Sequence, residues 1–160
     1  TIILERWHLR ETQFHYLFIP VVLGLITASY TSGRIAGRVP RLTQLKIGFG
    51  MLCVSALIVA VAHLFAAELP ILASQAFLFV LASGAQLVYP VLTLEMIDMH
   101  PLARGAAASV HTFVALGVGA LAMGMLAPLL HGNLALMAWL SLACSVIAWA
   151  MWRAGAALAR

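Results

Sequence analysis

GAAASVHTFVALGVGALAMGMLAPLLHGNLALMAWLSLACSVIAWAMW, residues 105–152, contains no Asp, Glu, Lys or Arg. Its only imidazoles are His111 and His131. A run of 48 residues is too long for one membrane-spanning helix, since about 20 apolar residues cross the hydrocarbon core, and is right for two. The turn-forming stretch Pro128-Leu-Leu-His-Gly-Asn133 stands where two such helices would join. This run places the chain in a bilayer.

The rest of the sequence agrees. Hydrophobic residues make up 64% of the chain and charged residues 9%, whereas soluble domains carry roughly 25% charged residues. A water-soluble core at this size cannot absorb so much apolar surface, so lipid must be the solvent for most of it. The net charge is +4, but the basic residues cluster in short connectors, which signals topology and not a nucleic-acid partner. Cys53 and Cys144 fall inside apolar runs and read as small hydrophobes, with neither a disulfide framework nor a metal-ligand spacing. The start, Thr1-Ile-Ile-Leu-Glu-Arg-Trp7, lacks the basic-then-apolar order of a signal peptide. It opens on Thr and not Met, and the expectation is a piece of a longer polypeptide.

Charge-free windows predict five spanning helices, near 14–35, 45–67, 70–95, 103–127 and 133–153. Barrel strands are excluded, because they alternate polar and apolar residues over about ten positions. The first connector holds Arg34, Arg38, Arg41 and Lys46, the third Arg104, and the tail Arg153 and Arg160. The connectors around Glu68–Pro70 and His131–Asn133 have no Lys or Arg. The positive-inside rule therefore puts the odd connectors and the C-terminus in the cytoplasm and the segment Glu5–Glu11 outside. Small residues recur every four positions, as Gly24, Ala28 and Ser32, as Ser29, Gly33 and Gly37, as Ala115 and Gly119, and as Ala120 and Gly124. That spacing lets membrane helices approach closely.

The first connector, Ser32-Gly-Arg-Ile-Ala-Gly-Arg-Val-Pro-Arg41, resembles the Gly-x-Leu-Ala-Asp-Arg-x-Gly-Arg-Arg loop of the major facilitator superfamily, in the copy that joins the eighth and ninth helices. Gly33 and Arg38 match, and Gly37 stands in place of the Asp. Ser83-Gly-Ala-Gln-Leu-Val-Tyr-Pro90 and Pro101-Leu-Ala-Arg-Gly-Ala-Ala-Ala-Ser109 look like the tenth helix, its loop and the opening of the eleventh in bacterial drug/proton antiporters of the Bcr/CflA type. Leu9-Arg-Glu-Thr-Gln-Phe14 resembles the external loop before their eighth helix. The resemblance covers residues 1–160 as the last five of twelve helices. It implies an all-α integral membrane domain, an incomplete C-terminal six-helix half, partnered by a missing N-terminal half of the same polypeptide. It implies a secondary transporter of the inner membrane with a small-molecule substrate bound between the halves, and a first, third and fourth helix that face the cavity.

Charged residues inside a membrane are costly and usually functional. Glu95 and Asp98 share one face at the end of the third helix. They either mark the water boundary or pair with Arg34, Arg38 or Arg104 as a cytoplasmic latch; the resemblance supports Arg38 in that role. His111 lies about 10–12 Å into the fourth helix by the 1.5 Å rise. It is either a neutral, hydrogen-bonded histidine or the proton-coupling group, since imidazole changes charge near neutral pH. Gln86 and Tyr89, beside Pro90, are candidates to line a substrate cavity, or pack against a neighbouring helix. Tyr30, with Thr27 and Thr31, is a further candidate of the same kind. Trp139, Trp149 and Trp152 fit lipid contact on the fifth helix, the last two near the interface.

No Walker-type loop, metal-spaced histidine pair or nucleophile elbow is present, so an enzyme is not expected, nor a metal or other cofactor. The leading expectation is proton-coupled efflux of small amphipathic compounds by alternating access. An uptake facilitator of the same fold is the nearest alternative. A non-transporting membrane scaffold or truncated remnant is the alternative from another class.

Overall fold

The computed structural model describes residues 15–64, 71–126 and 134–158. The segments read above as Glu5–Glu11 and Leu9–Phe14, the connectors around Glu68–Pro70 and His131–Asn133, and Arg160 lie outside the described residues. Among the described residues there are five long helices: α1 (His15–Ile35), α2 (Arg41–Leu64), α3 (Ile71–Asp98), α4 (Arg104–Leu121) and α5 (Leu134–Leu158), with a π-helical turn at Ala122–Leu126 after α4. No strand occurs among the described residues. All five helices are long and apolar enough to cross a membrane, and the chain reads as membrane-spanning.

Helix ends differ from the charge-free windows for one reason. Arg41, Lys46, Asp98 and Arg153 all lie within helices, because a helix continues through the interfacial layer where charged side chains reach water. Thus α2 begins at Arg41 rather than 45, and α5 runs to Leu158 rather than 153. The α1–α2 connector is a tight turn. Ile35 O accepts from the backbone N–H of Arg38 and of Val39, both at 3.0 Å. Gly37 has φ +77°, a left-handed conformation that a side chain opposes. Pro40, lacking an N–H, accepts from Thr43 and Gln44 and opens α2.

α3 is the central helix, with α1, α2 and α4 all against it and α5 packed on α2. Contacts fix the directions. Tyr16 meets Gln75, Gly24 meets Ser83 and Ser29 meets Gln86, so α1 and α3 run parallel. Arg41 meets Asp98 and Gly48 meets Gly84, so α2 and α3 run antiparallel. Phe49 meets Trp152 and Tyr89 meets His111, which makes α5 antiparallel to α2 and α4 antiparallel to α3. Every described Lys and Arg, from Arg34 through Arg153, therefore lies at one end of the bundle, together with Glu95 and Asp98.

Packing between membrane helices rests on close contact, since lipid is as apolar as leucine. A Cβ on Gly24 would sit 2.5 Å from Phe79 O, and Ala28 on the same face is 4% exposed. The Gly24–Ala28–Ser32 row is thus the α1 packing face. Gly33, of the alternative row, has nothing within 4 Å of the position that a Cβ would take. A second close crossing joins α2 to α3, where a Cβ on Gly84 would sit 2.9 Å from Gly48 O. Beside it Leu45, Phe49, Val88 and Val91 form the buried cluster, with Trp152 against it. Trp152 stacks on Phe49 at 5.9 Å between centroids, so it faces the bundle, whereas Trp139 and Trp149 are exposed as expected for lipid contact.

Candidate functional site

Two groups of polar side chains distinguish this bundle from an apolar scaffold. The first lies within the membrane span on α1, α3 and α4. Gln86 is 12 residues before the end of α3 at Asp98, about 18 Å in by the helical rise. Gln86 Nε2 donates to Ser29 Oγ at 3.0 Å. Tyr89, one turn on and sharing that side of α3, reaches the other neighbour: its ring centroid is 5.4 Å from that of His111 on α4, tilted by 47°. Gln86 and Tyr89 thus tie α3 to α1 and to α4. Pro90 follows inside the helix and removes the helical donor for the Gln86 carbonyl.

His111 is half-buried, and its Nδ1 is buried without a hydrogen-bond partner among the described residues. The hydrogen bond from a neighbouring helix that the neutral reading expects is not made at Nδ1. Such a group carries a desolvation cost. Tyr89 is 49% exposed, so the pair borders open space. Tyr30 stands apart from this group. It lies five residues from the end of α1, about 7.5 Å in, and the Arg34 guanidinium carbon sits 4.9 Å from its ring centroid. Thr27 and Thr31 donate to Leu23 O and Thr27 O, both at 2.7 Å, back-bonds that commit their protons and leave the hydroxyl oxygens as acceptors.

The second group is at the basic end. Asp98 pairs with Arg41 at 2.8 Å, rather than with Arg34, Arg38 or Arg104. The register of antiparallel α2 and α3 sets this choice, because the first residue of α2 lies beside the last of α3. Arg34, Arg38 and Arg104 are exposed and Glu95 is half-buried. Among the described residues none of these four forms an ion pair. Gly33 is exposed, one residue before Arg34.

Sequence reasoning passed over Gln44, which joins three helices. It is 5% exposed; its Nε2 donates to Ser32 Oγ of α1 at 2.7 Å and to Leu87 O of α3 at 3.2 Å. Its signal was a lone amide between apolar residues near the start of a span, the kind of residue that must find partners in lipid.

α4 is the least covered helix. Ala107 is its only buried residue, and Phe113 and Leu116 are 78% and 69% exposed. An open groove of about 490 Å³ runs along Ala108, Ser109, Thr112, Phe113 and Leu116. Ser109 and Thr112 donate their hydroxyl protons to Gly105 O and Ala108 O, so the groove is mainly apolar with two hydroxyl oxygens left as acceptors. Ala115, Gly119, Ala120 and Gly124 do not pack as a small-residue seam here: they are exposed, and both glycines have open space at the Cβ position. No cluster of three or more potential metal ligands occurs among the described residues. In comparisons with known proteins the chain matches no family model, no curated protein and no solved structure.

Proposed function

We propose that this chain is part of a secondary active transporter of the major facilitator type, driving proton-coupled efflux of small amphipathic compounds. The observation that carries the reading is His111. Its ring nitrogen is buried and unpartnered inside a span, against a half-exposed tyrosine. Polar and ionisable groups at such depth belong to substrate and proton paths more often than to packing. The uncovered apolar face of α4 and the Gln86–Tyr89 side of α3 suit one wall of a cavity whose other wall is a second bundle. In the cell the basic end would face the cytoplasm of an inner-membrane protein. Protonation of His111 would place a cation beside the Tyr89 ring, a favourable contact for an imidazolium, and would bias α4 against α3 in one of two states.

The test is efflux of an amphipathic dye from cells that express the full polypeptide. The expected result is dye retention when the proton gradient is collapsed, and a comparable loss of efflux in His111→Ala with membrane insertion intact. Dye movement indifferent to the gradient and to His111→Ala would overturn the reading.

A further inference from the structure

The clearest unassigned binding feature lies on the opposite side of the bundle from His111. Lys46 of α2 and Arg153 of α5 border a groove of about 250 Å³, lined otherwise by Phe49, Gly50, Cys53 and Trp149. Both cations are exposed. The described carboxylates, Glu95 and Asp98, are on α3, and the ion pair among the described residues is Arg41–Asp98. Among the described residues neither Lys46 nor Arg153 forms an ion pair, and both line the groove. The Arg153 guanidinium carbon lies 5.5 Å from the Trp149 ring centroid, a cation–π distance that holds the charge over the groove wall.

Below these charges the chemistry changes. Phe49 is buried, Cys53 is half-buried, and Gly50 is exposed with nothing within 4 Å of a Cβ position. Gly50 and Cys53 lie one and two turns deeper in α2 than Lys46. The groove thus presents two cations at interfacial depth, an indole beside them and an apolar channel leading inward. A free inorganic anion would use the cations and leave the channel empty. We infer that this groove binds an anionic phospholipid, with the headgroup phosphate between Lys46 and Arg153 and an acyl chain along Gly50 and Cys53. Basic pockets between helices at the interface suit such headgroups.

The test uses the full chain with Trp149 as its sole tryptophan, the other three replaced by Phe, in phosphatidylcholine vesicles containing dibrominated phosphatidylglycerol or dibrominated phosphatidylcholine. Bromine quenches an adjacent indole. The expected result is quenching of Trp149 with up to about thirtyfold preference for phosphatidylglycerol, from roughly additive attraction of two interfacial cations. Lys46→Gln with Arg153→Gln reduces that preference to about twofold or less, whereas Lys46→Arg with Arg153→Lys retains it. Gly50→Leu, which keeps both charges and fills the channel, also lowers it. Equal quenching by both lipids, or preference retained in the doubly neutral variant, would overturn the site. So would absence of quenching by either lipid, which would mean that a protein surface covers the groove. An equal loss of preference in Arg104→Gln would do the same, by tracing the effect to general surface charge.

Discussion

Gln75 of α3 donates through Nε2 to the backbone carbonyl of Tyr16 in α1, at 3.1 Å. Tyr16 is four residues before Pro20, a proline inside α1. Proline has no N–H, so the Tyr16 carbonyl loses its helical donor at Pro20. Tyr16 precedes the Phe18–Ile35 span, so at this interfacial end of the helix the carbonyl would otherwise depend on water. A side chain from the neighbouring helix supplies the missing bond, and in doing so fixes the register of α1 against α3.

Gln75→Leu should therefore destabilise the bundle by about 1 kcal/mol, within the range of interhelical hydrogen bonds in membranes. Pro20→Ala restores a helical donor to Tyr16, and in that background Gln75→Leu should cost measurably less. Unfolding in mixed micelles, run as a double-mutant cycle, reads the coupling. Equal costs of Gln75→Leu in both backgrounds would show that the proline and the glutamine act independently.

The α2–α3 crossing predicts a contrast between two glycines. Gly84→Ala places a methyl 2.9 Å from Gly48 O and 3.1 Å from Met51 Cβ, so the helices must separate, at a cost of about 1–3 kcal/mol. Gly117→Ala on α4 meets nothing within 4 Å and should be neutral or stabilising by up to about 1 kcal/mol through helix propensity. The same unfolding measurement compares them. A Gly84→Ala protein as stable as the parent would mean that α2 and α3 cross farther apart.

Arg41 and Asp98 are each about half exposed, so their bond should contribute no more than about 1 kcal/mol to stability. On the proposed transporter reading, its consequence falls on transport rate. Arg41→Asp alone should slow transport with little change in substrate binding, and Arg41→Asp with Asp98→Arg should recover part of the rate. Arg38→Glu, in the connector, should likewise change rate more than binding. Transport kinetics and equilibrium binding on the full polypeptide separate the two quantities. If neither rate nor binding responds, the basic end is not a latch.

The five spans were legible in the sequence because charge-free length is a one-dimensional property, and the bilayer converts it directly into helices. Their ends were less so. A charge-free window stops at Arg41, Lys46 or Arg153, while the helix continues through the interface. Spacing on one helix offered two small-residue rows, Gly24–Ala28–Ser32 and Ser29–Gly33–Gly37, and only the contact with α3 selects the first. Gly48 with Gly84 had no such signal, because each is a lone glycine whose meaning depends on the crossing of two helices. Asp98 faced the same limit: the sequence offered Arg34, Arg38 and Arg104 as partners, and the α2–α3 register selects Arg41 instead. His111 and Tyr89 were each visible as polar residues in a span, but their adjacency needed the α3–α4 pairing. Gln44 and Gln75 escaped notice because an amide carries no charge and its partners are backbone or hydroxyl groups on other helices.

The most direct test of a polar path along α1, α3 and α4 is cysteine accessibility in the full polypeptide, with Cys53 and Cys144 first replaced by alanine. Single cysteines at Tyr30, Gln86, Tyr89 and His111 would be compared with cysteines at Ile58 and Ile147, which are exposed on α2 and α5. A water-filled transport path predicts that Gln86→Cys, Tyr89→Cys and His111→Cys react with a membrane-impermeant thiol reagent, and that Ile58→Cys and Ile147→Cys do not. Track positions as unreactive as Ile58 and Ile147 would contradict it, and would leave Gln86, Tyr89 and His111 as packing residues in a bundle that carries nothing across the membrane.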